Sequence, residues 1–284
     1  MPSTREIRRR IRSIKNTGQI TKAMEMVAAT KMRRAQSMTL ASRPYAEKMW
    51  QVLGSLAGRS AALDEVHPLL ERRERHNLGL LLITSDRGLA GGYNSNVIRL
   101  AASFILEQTL PVKLVTIGRK GRDWMLRRGR DVMAEFTGMP DRPTVLDIAP
   151  VARVVTDGYV VSTFDAVYMV YTDFVSMATQ RPALRQLLPV EAPAEERGGT
   201  EYIYEPAPGV VLEALLPRFV EVEIYQALLE AVASEQSARM VAMHNATQNV
   251  KEVVEELTLS FNKARQASIT KEIVEITSGA EALR

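Results

Sequence analysis

The stretch SIKNTGQITKAMEMVAATKMRRAQ, Ser13 to Gln36, decides how the rest of the chain is read. Its alanines, methionines, lysines and arginines are good helix formers, and it contains no proline. Yet its apolar residues do not keep to one face. Ala23, Met24, Met26, Val27, Ala28, Ala29 and Met32 cover most of the circumference, bracketed by Lys15, Lys22, Lys31, Arg33 and Arg34. A helix that is apolar all round is normally buried in a large core or a membrane. This one is too basic, and its apolar run too short, to span a bilayer. It calls for protein neighbours on more than one side.

Working outward, the first part of the chain, 1–63, reads as one long helix. Ser3 or Thr4 is placed to cap it, with Glu6 in the first turn, where the helix dipole favours a carboxylate. Ile7, Ile11 and Ile14 recur at helical spacing, and Ile20, Met24 and Val27 repeat the pattern further on. Gly18 is an interruption that costs about 1 kcal/mol relative to Ala. Pro44 lacks a backbone donor, so a kink or short break is expected between Ser42 and Tyr45. His67-Pro68 marks a loop.

The last part, 208–284, is the counterpart. From Pro208, which suits a first helical turn, it reads as helix to about Ser278, with Pro217 as a kink or a later start. Roughly seventy residues at about 1.5 Å each would span about 100 Å. From Met243 a seven-residue repeat emerges, with Met243, Val250, Leu257 and Ala264 in one line and Ala246, Val253, Ser260 and Ala267 in the other. The line then shifts to Ile269, Ile273 and Ile276, which implies a change of winding. The two terminal helices are expected to pair antiparallel and project as a rod.

Between them, 64–207 alternates strand and helix. LGLLLIT (Leu78–Thr84), VKLVTIG (Val112–Gly118), the weaker DVMAEF and DAVYMVYTDF (Asp165–Phe174) read as strands. NSNVIRLAASFILEQ, RKGRDWMLRRG and VLDIAPVARVVTDGYVV read as the helices between them. Such alternation implies a Rossmann-like α/β domain with a parallel sheet. ALRQLLPV and EYIYE read as short extended pieces, with a polar loop, EAPAEERGGT, between them. The fold class is therefore α/β plus coiled coil.

Composition excludes several chemistries. With no cysteine there is no disulfide, thiolate nucleophile or cysteine metal site. His67, His76 and His244 are far apart and lack the spacing of a zinc site or a triad. The opening MPSTREIRRRIRSI has no apolar run after its arginines, so a secretory signal is not expected. No apolar segment is long enough for a spanning helix. The net charge of +4 is modest but uneven, because Arg5 to Arg34 is strongly basic. An acidic partner is implied, whether protein, nucleic acid or lipid headgroup.

One loop invites a catalytic reading. ITSDRGLAGGYNSN (Ile83–Asn96) lies between a strand and a helix, where phosphate-binding loops occur. It matches neither G-x-G-x-x-G nor the Gly-Lys-Ser/Thr of a P-loop. The plainer reading is a structural turn. There Gly88, Gly91 and Gly92 supply positive φ or close packing, Asp86 caps the turn and Asn94 caps the next helix. A Rossmann-like enzyme and a coiled-coil nucleic-acid binder remain alternatives. Against the second, the basic helix has no aromatic residue for stacking on bases before Tyr45.

GQITKAMEMVAATKMRRAQ, SDRGLAGGYN, SEQSARMVAMHNAT and FNKARQASITKEIVEITSGAEAL together resemble the gamma subunits of F-type ATP synthases, in order and over essentially the full length. The family commonly has Cys in the GLCGG loop where this chain has Ala90. The cysteine-bearing insertion of chloroplast relatives is also lacking. The resemblance implies a non-catalytic rotor shaft without cofactor or metal, in which the terminal helices turn inside a ring of alpha and beta subunits. It implies contacts with the epsilon subunit and the c-ring, a peripheral position on the cytoplasmic face of the cell membrane, and no nucleic acid. By position, it implies that Met24, Arg239, Gln266, Thr270 and Glu272 lie at contacts between the shaft halves and with beta. Lys15, Lys22, Lys31, Arg33 and Arg34 would face acidic segments of the ring.

Overall fold

The computed structural model describes residues 3–60, 67–191 and 204–282. The loop Ala192–Thr200 and most of EYIYE lie outside the described residues. The elements are α1 (Thr4–Ser60), β1 (Leu78–Ile83), α2 (Tyr93–Glu107), β2 (Val112–Ile117), α3 (Arg119–Leu126), β3 (Val132–Phe136), α4 (Val145–Val160), β4 (Ala166–Phe174), β5 (Gln180–Leu188) and α5 (Pro208–Ala282). Two compact units result. One joins Met1–Ala28 to Met240–Arg284, and the other is Ala29–Arg239.

In the second unit, the strands form one sheet in the order β3-β2-β1-β4-β5. β1, β2, β3 and β4 are parallel. β5 runs antiparallel to β4, so the sheet is mixed rather than wholly parallel. The cause is local: only the short turn Val175–Thr179 separates β4 from β5, too few residues for the crossover that parallel pairing needs.

β1 is buried along its whole length because both sheet faces are covered. Leu78, Leu80 and Leu82 point to one side, where Val97, Ala101 and Ile105 of α2 and Met125 of α3 cover them. Leu81 and Ile83 point to the other, into a larger core. That core is built from α4, from Met49, Leu53 and Leu56 of α1, and from α5 between Leu212 and Ala231. The two chain ends thus contribute to the main hydrophobic core of the unit they enter.

Neither Pro44 nor Pro217 ends its helix. α1 runs through Pro44 and α5 through Pro217. The expected break at Ser42–Tyr45 does not occur. Pro44 and Leu40, whose carbonyl loses its helical donor, are both exposed, as are Pro217 and Glu213. Water can therefore satisfy the freed carbonyls, while burial of the opposite face holds each helix.

In the first unit, α1 and α5 pair antiparallel. Arg8 lies over Phe261, Gly18 against Val250, Thr21 against Thr247 and Glu25 against His244. The inward-facing positions of α1 are Thr4, Ile7, Ile11, Ile14, Gly18, Thr21, Glu25 and Ala28, spaced alternately by three and four residues. This corrects the continuation through Ile20, Met24 and Val27: Ile20 is 61% exposed and Val27 54%. On α5, Met243, Val250, Leu257 and Ala264 face inward as expected. The second line is Thr247, Val254 and Phe261, one residue beyond Ala246, Val253 and Ser260.

Gly18 explains the geometry. It is buried, and a Cβ there would lie 2.7 Å from Val250 Cγ1. The glycine does not interrupt the helix; it lets the partner helix approach. Thr21 and Thr247 hydrogen-bond across the same seam at 2.8 Å.

Candidate functional site

Two regions carry the features that chemistry or binding would use. The first is the loop after β1, Thr84–Gly92, in the second unit. Asp86 does not cap its own turn. Its Oδ1 accepts the Arg119 N–H at 3.0 Å and its Oδ2 the Gly138 N–H at 2.8 Å. One carboxylate thus fastens this loop to the start of α3 and to the loop after β3.

Asn94 lies inside the first turn of α2, whose N-cap is Gly92, so it is not the cap. Its amide turns back to Ser85. Oδ1 accepts the Ser85 N–H at 3.1 Å, and Nδ2 donates to the Ser85 hydroxyl at 2.8 Å. That hydroxyl donates to the Arg87 carbonyl at 2.6 Å.

Of the three glycines, only Gly91 has positive φ, at 53°. Gly88 has no crowded neighbour, and the left-handed residue beside it is Leu89, with φ 60° and 65% exposed. A non-glycine residue there is uncommon and mildly strained. The Gly88 carbonyl accepts a hydrogen bond from Arg239 Nη2 at 3.2 Å. Ala90 is buried.

Arg239 connects this loop to α5. The same Nη2 reaches Glu235 Oε1 at 2.6 Å, one helical turn earlier, and both side chains are almost fully enclosed. Burial pushes the Glu235 carboxyl up, and the Arg239 guanidinium opposes that shift. Burial likewise raises the neighbouring Tyr93 phenol well above its ordinary range. The loop's polar groups are thus engaged with one another, with α3 and with α5, and what they do chemically is fasten.

The second region is the outer surface of the paired helices. In the first unit Ile20, Ala23, Met26 and Val27 of α1 are exposed, whereas Met24 is half-buried. Lys22 is exposed and binds both Glu25 oxygens at 3.1 Å. His244 Nδ1 meets the same carboxylate at 3.2 Å. The hydrogen bond from Lys22 does most to hold the Glu25 carboxyl below its usual range.

The register of the pair brings Thr4 opposite the region of Ala264, so α5 continues beyond the start of α1. Gln266, Thr270 and Glu272 lie on this extension and are exposed, as are Ile269, Ile273, Val274 and Ile276. Glu272 accepts the Ser268 hydroxyl at 3.3 Å. Lys15 is exposed and has no ion pair among the described residues.

In the second unit, Lys31 is half-buried and bound to Asp141 at 2.6 Å, so this cation already has an acidic neighbour within the chain. Arg33 and Arg34 are exposed and have no ion pair among the described residues. The proposed contact residues therefore do not converge on one pocket. They are distributed along two helices, as for an extended protein interface. The sequence reading missed the exposed pair Ile20 and Val27 as an outer surface, because it assigned them to the seam. The alternating three-and-four spacing through Gly18 and Thr21 carried the signal. Among the described residues no cluster of acidic and histidine side chains could hold a metal ion. No described helix is long and apolar enough to cross a membrane.

A mixed α/β sheet unit together with an antiparallel pair formed by the two chain ends makes this a coiled-coil α/β protein. The family model for ATP synthase matches residues 3–283. The ATP synthase gamma chain of Roseiflexus castenholzii is 52% identical over 288 residues, covering 100% of this chain and 99% of the relative. That of Dehalococcoides mccartyi is 51% identical over 285 residues, covering 100% of both. The chain belongs to the ATP synthase gamma chain family.

Among solved structures, a chain of the Tetrahymena thermophila mitochondrial ATP synthase central stalk and c-ring has a TM-score of 0.63 at 26% identity, covering 80% of this chain and 99% of that one. A chain of the Euglena gracilis mitochondrial ATP synthase rotor has a TM-score of 0.69 at 19% identity, covering 94% and 98%. The second likeness concerns the fold alone.

Proposed function

We propose that this chain is the central rotor shaft of a proton-transporting F-type ATP synthase. It couples proton flow through the membrane sector to ATP synthesis or hydrolysis in a ring of alpha and beta subunits, takes part in regulating ATPase activity, and is not itself catalytic. Its other partners are the epsilon subunit and the c-ring, which hold it peripherally at the cytoplasmic face of the cell membrane. The observation that carries this reading is the outer surface of the helical pair. After the two helices have satisfied each other, Ile20, Val27, Ile269, Ile273 and Ile276 remain exposed. Exposed apolar rows of this kind mark interaction surfaces.

The residue types suit a contact that must be remade at every step. Small apolar side chains and flexible methionine adapt to different neighbours. Exposed cations such as Lys15, Arg33 and Arg34 attract acidic segments through screened interactions, which break more easily than buried ion pairs. In this reading Met24, Gln266, Thr270 and Glu272 meet the beta subunits. Lys22 and Lys31 exchange their internal carboxylates for acidic groups of the ring. Arg239, with Asp86, Gly88, Gly91, Gly92 and Asn94, keeps the loop and α5 together under load.

Co-expression with the alpha and beta subunits tests the reading. The expected product is a complex containing this chain, whose ATPase activity falls by at least tenfold when the chain is omitted. Alpha and beta that assemble to full activity without it, or that fail to retain it, would remove the proposal.

A further inference from the structure

In the first unit the two paired helices carry opposite charges on their outer faces. Arg5, Arg9 and Arg12 each lie two residues, about 200° of helical turn, from a seam isoleucine, and so point away from the seam. Lys15 lies on the flank. All four are exposed and have no ion pair among the described residues. Their neighbour Arg10 is balanced by Glu6 at 2.9 Å, and Arg8 lies over Phe261. On α5, Glu252, Glu255 and Glu256 stand two residues from the seam positions Val250, Val254 and Leu257. They too are exposed and have no ion pair among the described residues, with Lys251 and Lys263 beyond them on either side.

The two charged faces share one stretch of the pair. Arg8 meets Phe261 and Gly18 meets Val250, so residues 9–17 of α1 run beside 251–260 of α5. Arg9, Arg12 and Lys15 fall in the first span, and Glu252, Glu255 and Glu256 in the second. The faces do not neutralise each other. Two helices side by side put their outer faces roughly 20 Å apart, well beyond the screening length of about 8 Å at physiological salt. Within α1 the arginines, spaced by four and three residues, repel one another. An anionic partner relieves that repulsion. The same face continues through Gln19, Ile20, Ala23 and Val27, which are exposed and uncharged. A polyphosphate backbone or a lipid headgroup layer gains nothing from that continuation. A protein segment that is acidic at one end and apolar at the other matches both halves.

We propose that the face of Arg5, Arg9 and Arg12 binds an acidic protein segment of the surrounding ring, and that the face of Glu252, Glu255 and Glu256 turns the same segment away. The proposal rests on the rotor reading and adds an angular preference to it. An acidic segment is attracted on one side of the helical pair and repelled half a turn later, so charge by itself gives the pair one favoured orientation towards each such segment.

Binding of the full-length chain to an assembled alpha–beta ring, at low and at high salt, tests the basic face. Arg5→Gln, Arg9→Gln and Arg12→Gln together should weaken binding about tenfold at low salt and far less at high salt, because rim charges act through screened attraction. An unchanged melting temperature separates this loss from misfolding. Glu252→Gln, Glu255→Gln and Glu256→Gln together should bind as tightly as wild type or tighter. In the rotating complex at low salt, that variant should pause over a broader range of angles. Wild-type affinity of the arginine variant at low salt, or pauses as narrow as wild type in the glutamate variant, overturns the proposal. If the arginine variant loses binding to duplex DNA or to anionic lipid vesicles while ring binding is unchanged, the face belongs to that partner and the proposal is likewise overturned. A wild-type chain that does not bind the ring at either salt removes the rotor reading itself, a failure distinct from the other three.

Discussion

Gly18 and Arg239 show how single residues set the geometry. An added Cβ at Gly18 would meet Val250 at 2.7 Å. Gly18→Ala gains about 1 kcal/mol of helix propensity but overpacks the seam, an effect of about 1–3 kcal/mol. The expected result in thermal denaturation is a net loss, reversed when Val250→Ala is added. Arg239 is the charged partner of an enclosed Glu235 and holds the Gly88 carbonyl. Arg239→Ala leaves that carboxylate unpaired, so a loss of about 3 kcal/mol is expected in urea unfolding. The loss should be larger at pH 8 than at pH 5, since the raised Glu235 carboxyl takes up a proton in acid and relieves the unpaired charge. Little of this was legible in the sequence. Asp86 and Asn94 stood out as loop residues, but as caps of their own segments. Their actual partners, Arg119, Gly138 and Ser85, lie up to 52 residues away. Sequence spacing does not report such distances.

At the scale of elements the sequence was far more explicit. The four parallel strands and the helices between them follow from apolar runs bounded by turn residues, and their ends agree with the structure to within a residue or two, apart from a three-residue difference at the end of α3. The seam of the paired helices was half legible. Its isoleucines between Ile7 and Ile14 were plain, but its next members are Gly18, Thr21 and Glu25, none of which looks apolar. The reading therefore slid to Ile20 and Val27, which lie outside. Pro44 misled in the other direction, because a local rule about a missing donor was outweighed by burial of the opposite face of α1. Pro44→Ala should accordingly stabilise the chain, by up to about 3 kcal/mol, seen as a higher melting temperature. The end of α5 gives a sharper test. Truncation after Arg265 removes Gln266, Thr270 and Glu272, which are exposed. The melting temperature of the isolated chain should change little, whereas ATPase coupling in the assembled complex should be lost.

For the whole molecule, the decisive property is that the two chain ends do two jobs. Within the sheet unit they complete the main core through Met49, Leu53, Leu56 and the apolar residues of α5 from Leu212 to Ala231. In the other unit they pair through a seam that mixes Ile7, Ile11, Ile14, Val250 and Leu257 with Gly18, Thr21 and Glu25, and leave further apolar side chains outside. A helix pair built only for its own stability would bury those side chains instead. In the proposed rotor this surface turns inside a ring. The direct measurement is to fix an assembled alpha–beta ring to a support, attach an optical marker to an engineered cysteine in the sheet unit of this otherwise cysteine-free chain, and add ATP. The expected result is sustained rotation of the marker in one direction, stopping when ATP is withdrawn. A marker that stays still while the same complexes hydrolyse ATP at full rate would contradict it.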